Sequence, residues 1–169
     1  MASGDVVGVI LAVSPPATAY ATPDARAGGS TPAESFPVWD FDDTTAEHLD
    51  LHGILSANYA GGGLTVRLRW MATSATSGNV MWQAAFRRIA DDAEDIDTAH
   101  TYDFNSTTVT AATASGEFDY ATITFTSGAD MDSLAAGDSF VLRIRRNAAD
   151  AADTMSGDAE LAGLVVEET

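Results

Sequence analysis

Alternation of apolar and polar residues constrains this chain more than any other feature. Between Leu64 and Met71, the side chains of Leu64, Val66, Leu68 and Trp70 fall on one side of an extended chain, and Thr65, Arg67 and Arg69 fall on the other. The same rule puts Val80, Trp82, Ala84 and Phe86 opposite Met81, Gln83 and Arg87, and sets Phe140, Leu142 and Ile144 against Val141, Arg143 and Arg145. Phe118 to Thr126 is rich in Tyr, Thr, Ile and Phe, which suit a pleated, half-buried surface. Weaker strand signals run over Phe36 to Phe41, His48 to His52, Thr107 to Thr113 and Ala159 to Val166. No stretch shows the recurrence of an amphipathic helix. Turn chemistry separates the runs, at Gly61-Gly62-Gly63, Ser77-Gly78-Asn79, Ser115-Gly116, Ser127-Gly128, Ala136-Gly137-Asp138 and Ser156-Gly157-Asp158. The expected fold is all-β, an antiparallel β-sandwich of jelly-roll type.

All five prolines, Pro15, Pro16, Pro23, Pro32 and Pro37, lie in the first 37 residues. The chain therefore reads as an extended N-terminal arm, residues 1–35, leading into a sandwich over residues 36–169. The arm has one strand-like run, Val6 to Val13, with Val6, Val7, Val9, Ile10, Leu11 and Val13 as its apolar side chains. The rest of the arm is too poor in large apolar groups to fold alone. An arm of this kind is expected to be held by the body or by a neighbouring subunit, so its apolar run is a candidate docking segment.

Charge narrows the partners. The chain has 169 residues, with 25 carboxylates against 8 basic residues, a net charge of −17, and every basic residue is arginine. Such a chain is repelled by nucleic acid and by anionic membranes, and neither is an expected partner. The apolar run near the N-terminus is too short to span a bilayer, and with Asp5 ahead of it and no Lys or Arg it does not read as a cleaved targeting segment. There is no cysteine, hence no disulfide framework or thiol nucleophile.

No nucleophile elbow or phosphate-binding glycine loop is present. His48, Asp50 and His52 share one face of a strand and have donors suited to a divalent metal, but Leu49 and Leu51 on the opposite face make a plain polar surface the simpler reading. The acidic groups Asp40, Asp42, Asp43, the run from Asp91 to Asp97, and Asp150, Asp153, Asp158 lack EF-hand spacing and read as solvated loops. Trp70 and Trp82 continue apolar strand faces and read as core; Trp39 is the tryptophan free to be a surface group. No catalytic residue, metal or cofactor is expected, and the chain does not read as an enzyme.

The arginines are the most informative polar residues. Arg67, Arg69, Arg87, Arg143 and Arg145 sit at outward positions on three strands, so they form one arginine face if those strands adjoin. Arginine pairs bidentately with carboxylates, either across a subunit contact or between strands of one subunit, and the sequence leaves both open.

Several segments carry a resemblance: RAGGSTPAE from Arg26 to Glu34, VWDFDD from Val38 to Asp43, NYAGGGL from Asn58 to Leu64, Ala72 to Phe104, Tyr120 to Asp138, and DTMSGDAEL from Asp153 to Leu161. With these the chain resembles β-sandwich virion proteins encoded by tailed bacteriophages. The resemblance implies a structural role among capsid decoration proteins, tail proteins and receptor-binding tips. The expectation drawn from it is a capsid decoration or cement protein on the outer capsid surface, bound to the major capsid protein and assembled as a homotrimer. The alternative is a tail or fibre-associated module that binds host glycans, which calls for an exposed aromatic groove.

Overall fold

The computed structural model describes residues 3–169; Met1 and Ala2, where the expected arm begins, lie outside the described residues. Ten strands form two antiparallel sheets. In chain order they are β1 Gly8–Ser14, β2 Thr22–Gly28, β3 Glu34–Phe41, β4 Glu47–Leu55, β5 Leu64–Ala72, β6 Asn79–Ile89, β7 Asn105–Thr110, β8 Asp119–Phe125, β9 Ser139–Arg146 and β10 Ala159–Glu168. One sheet has the order β1-β4-β9-β6-β7, the other β2-β3-β10-β5-β8. Without β1 and β2, the two quartets β4-β9-β6-β7 and β3-β10-β5-β8 are the eight strands of a jelly roll, in which every consecutive pair except β6 and β7 changes sheet. The molecule is all-β, a jelly-roll β-sandwich. Both strands from the first 35 residues add to it, β1 beside β4 and β2 beside β3.

The alternation in the sequence is the alternation of burial. Leu49, Leu51 and Leu55 on β4, Leu64, Val66, Leu68 and Trp70 on β5, Val80, Trp82 and Phe86 on β6, and Phe140, Leu142 and Ile144 on β9 meet in one core between the sheets. Trp70 and Trp82 are both fully buried and meet edge to face, with ring centroids 5.9 Å apart. Trp39 is partly buried and packs against that same core.

Arg146 continues the inward face of β9 and is completely buried. Its Nε and Nη2 donate to the two carboxylate oxygens of Asp153 at 3.1 and 2.9 Å. The remaining donors reach the carbonyls of Phe41, Gly157 and Met155 at 3.2, 2.9 and 2.8 Å. Asp153 also accepts the amide of Met81 at 3.0 Å. A buried charge persists only when every donor is satisfied, and this one closes the end of the core where four chain segments meet.

Candidate functional site

Outward positions on the two sheets define two surfaces with different chemistry. On the sheet containing β1, a strap from Thr98 to Phe104 crosses β9. Arg143 donates to both oxygens of Asp50 at 2.6 and 2.7 Å and lies 4.1 Å beneath the ring of Tyr102. Asp50 holds the Arg143 guanidinium above its ordinary range. Arg145 donates to Gln83 at 2.7 Å under Phe104, 4.0 Å from its ring, and desolvation there lowers its pKa. Arg87 donates to the carbonyls of Asp95 and Thr98 at 2.8 and 3.2 Å. His48 bonds through Nδ1 to the carbonyl of Ala19 at 3.0 Å, and burial lowers its pKa. Two members of the aligned set His48, Asp50 and His52 are therefore tied individually to protein groups: Asp50 to Arg143, and His48 to Ala19.

The five outward arginines do not form one face. β5 belongs to the other sheet, so Arg67 and Arg69 point away from the sandwich on the side opposite Arg87, Arg143 and Arg145. Arg67 pairs with Glu167 at 2.9 Å. Within the first run, Val7 is buried and Ile10 packs on the core, whereas Val6, just ahead of the edge strand β1, and Val9, Leu11 and Val13 along it are exposed.

The outer face of the second sheet holds a groove of about 580 Å³. Its floor is Met71, which alternation turns away from the main core yet which is only 2% exposed. One wall is Arg26 on β2, whose Nη1 donates to the carbonyl of Thr73 at 2.8 Å and to the Glu160 carboxylate at 3.2 Å. The other wall is aromatic. Phe36 on β3 and Phe118 ahead of β8 meet edge to face with centroids 5.6 Å apart. Over Phe118, 3.5 Å from its centroid and 6.0 Å from that of Phe36, stands the guanidinium of Arg69. Glu34 stands at the mouth. Gly116 closes the groove beneath Arg26: its φ is +82°, and a Cβ there would sit 3.1 Å from Arg26 Nη2.

Phe36 and Phe118 meet on the outer face although β10 and β5 separate β3 from β8, because Phe118 precedes β8 rather than lying within it. Beyond Arg26 lie the carboxylates of Asp24, Asp40 and Glu160, with ligand oxygens all within 4.8 Å of one another. Burial, then the charges of Glu160 and Asp24, raise Asp40 to a pKa of about 6. A second group, Asp42, Asp43 and Asp158, is equally close. There Asp42 accepts the amides of Thr44 and Thr45, and Asp43 accepts that of Gly157. The first cluster already carries the Arg26 guanidinium as its cation, and the second organises loop amides.

Of the sequence candidates, Arg69 is the one that adjoins the groove, standing over its Phe118 wall without lining it. Phe36, Phe118, Arg26 and Glu34 were not singled out as a site. A signal was present: Phe118 and Tyr120 occupy the outward parity of their strand, an unusual place for two successive aromatics opposite Ala121, Ile123 and Phe125.

Fold and groove define a jelly-roll β-sandwich with an aromatic, arginine-lined cleft on one outer sheet face. No protein-family model matches the chain, and no curated protein matches it. Among solved structures it is similar to the CBM22-1 xylan-binding domain of Xyn10C from Paenibacillus barcinonensis, at 10% identity over 98% of this chain and 96% of that one, with a TM-score of 0.48. It is also similar to the tailspike protein 4 enzymatically active domain of bacteriophage CBA120, at 9% identity and a TM-score of 0.43, over 94% of this chain but 19% of that one. A third likeness is TmCBM61, solved in complex with β-1,4-galactotriose, at 12% identity over 94% of this chain and 88% of that one, with a TM-score of 0.38. At such identities and scores, no function passes from these proteins to this chain.

Proposed function

We propose that this protein is a glycan-binding module whose site is the groove between Arg26 and the Phe36–Phe118 pair. The observation that carries the reading is the meeting, in one cleft, of an exposed aromatic wall with fixed charged groups at its edges. A pyranose ring has an apolar C–H face and a rim of hydroxyls. Phe36, 40% exposed, and Phe118 offer the apolar surface, while Arg26, Arg69 and Glu34 offer donors and acceptors to the rim. The groove's size falls within the range of small-ligand pockets. Arg26 is held by Thr73 and Glu160 before any ligand arrives, which lowers the ordering cost of binding.

Of the two roles raised by the sequence, the groove favours the glycan module over the shell cement, because a cement role needs a broad docking surface rather than a cleft. The resemblance to tailed-phage virion proteins suits a glycan displayed on a host surface.

The test is a glycan array followed by calorimetry on the best binder. Phe118→Ala is expected to weaken binding by about tenfold, the equivalent of ~1.4 kcal/mol. Met81→Ala, on the opposite sheet, is expected to leave it unchanged. A protein that binds no glycan, or one whose binding ignores Phe118→Ala, overturns the reading.

A further inference from the structure

Seven of the eight arginines donate hydrogen bonds to protein groups: Arg26, Arg67, Arg87, Arg88, Arg143, Arg145 and Arg146. Among the described residues Arg69 is the one arginine with neither hydrogen bond nor ion pair, and its contacts are the faces of Phe118 and Phe36. This is an outlier in a chain with 25 carboxylates for 8 cations, where each guanidinium has acidic groups to choose from. The sheet explains how it is kept apart. Arg69 stands opposite Gly163 on β10 and Tyr120 on β8, so one cross-strand neighbour has no side chain and the other no negative charge. Space above Gly163 is open: a Cβ built there meets nothing within 4 Å. Two residues away Arg67 has Val165 as its cross-strand partner and finds Glu167. Arg69 is exposed, is held from one side by a ring, and has all five N–H donors available to something outside the protein.

A guanidinium in that state is a reader of planar anions. Stacking on Phe118 restricts the plane of the fork without using any donor, which reduces the entropy lost when a two-point contact forms. We infer that the groove takes an acidic glycan, and that Arg69, at the groove's edge, binds the carboxylate of a uronic or sialic acid unit through paired N–H···O bonds while the neighbouring sugar lies against the exposed Phe36. This rests on the glycan-binding reading above and narrows it to one substrate class. The geometry also answers the objection that a chain of charge −17 repels anions. That repulsion is long-range and screened beyond about 8 Å at physiological ionic strength. A bidentate arginine–carboxylate contact is short-range and oriented. Glu160, of the cluster with Asp24 and Asp40, is itself bonded to the Arg26 guanidinium.

The test uses matched probes that differ only in charge. Trigalacturonate is compared with its methyl ester, and 3′-sialyllactose with its sialic acid methyl ester, by calorimetry on the full chain, with Arg69→Gln and Arg69→Lys as variants. The expected result is that the acid form of at least one pair binds tenfold or more tighter than its neutral partner. Arg69→Gln is expected to erase the difference and Arg69→Lys to keep part of it, while Phe118→Ala, which also removes the ring that orients Arg69, weakens both forms and narrows the difference between them. Equal binding of acid and neutral forms, or an acid preference that survives Arg69→Gln, overturns the inference. Binding confined to neutral glycans overturns it while leaving the glycan module standing, and binding of no glycan removes both. Because the comparison of acid with neutral probes is made on the unaltered protein, the inference stays falsifiable even if a variant fails to fold.

Discussion

Arg146 carries a full charge into the core, and its cost is met by a partner seven residues downstream. Replacing it with methionine leaves the carboxylate of Asp153, 1% exposed, without its cation. Arg146→Met is expected to lower stability by about 3–5 kcal/mol, read from urea denaturation, and the double variant Arg146→Met, Asp153→Leu to recover most of that loss. The inward position of Arg146 was legible, since it shares the parity of Phe140, Leu142 and Ile144; its partner was not, because Asp153 sits in a loop with no periodicity. Asp40 supplies a second prediction. Its folded pKa of about 6 lies above the ordinary 3.8, so between those values the folded state holds a proton that the unfolded state has released. Its favourable contribution is complete below pH 3.8 and is lost as pH rises through 6. Glu47 and Asp158 are also raised by burial and act with the same sign, so the diagnostic is a difference. Between pH 7 and pH 5 the melting temperature of the unaltered protein is expected to gain more than that of Asp40→Asn; equal gains would clear Asp40 of the effect.

Strands that face the core on one side and solvent on the other were readable, because two environments print two residue classes. Strand β2 was not. Its residues, Thr22–Gly28, are exposed or half-buried throughout, so no alternation marks them, and Pro23 sits within it. Proline is tolerated there because β2 is an edge strand with a partner on one side only. The groove was hidden for a related reason: its residues come from β2, β3, β5 and the approach to β8, and sequence spacing does not reveal which edges meet. The edge strands are nonetheless structural. Val7 and Ala21 are buried at 1% and 0% exposure, and β1 covers one flank of β4. Removal of residues 1–28 is therefore expected to lower stability by at least about 2 kcal/mol, the burial of one valine-sized side chain, measured as a drop in the urea midpoint. A truncated chain with an unchanged midpoint would show that β1 and β2 are ornaments on an independent eight-strand body.

At the scale of the molecule, the pairing of distant segments dominates. β3 and β5 are neighbours of β10, more than eighty residues further along the chain, and a topology of this kind is expected to fold in milliseconds to seconds, as stopped-flow fluorescence of Trp70 and Trp82 would record. Net charge acts at this scale too: with −17 on one sandwich, added salt is expected to raise the melting temperature by screening self-repulsion. The position of β10 has a consequence for biogenesis. It is the central strand of its sheet, wedged between β3 and β5. On the ribosome, the β2–β3 and β5–β8 pairs have no common strand to join them until translation has passed Glu168. The nascent chain then carries two unjoined ribbons with bare apolar faces, so the interval before β10 emerges is when holdase chaperones have most to bind.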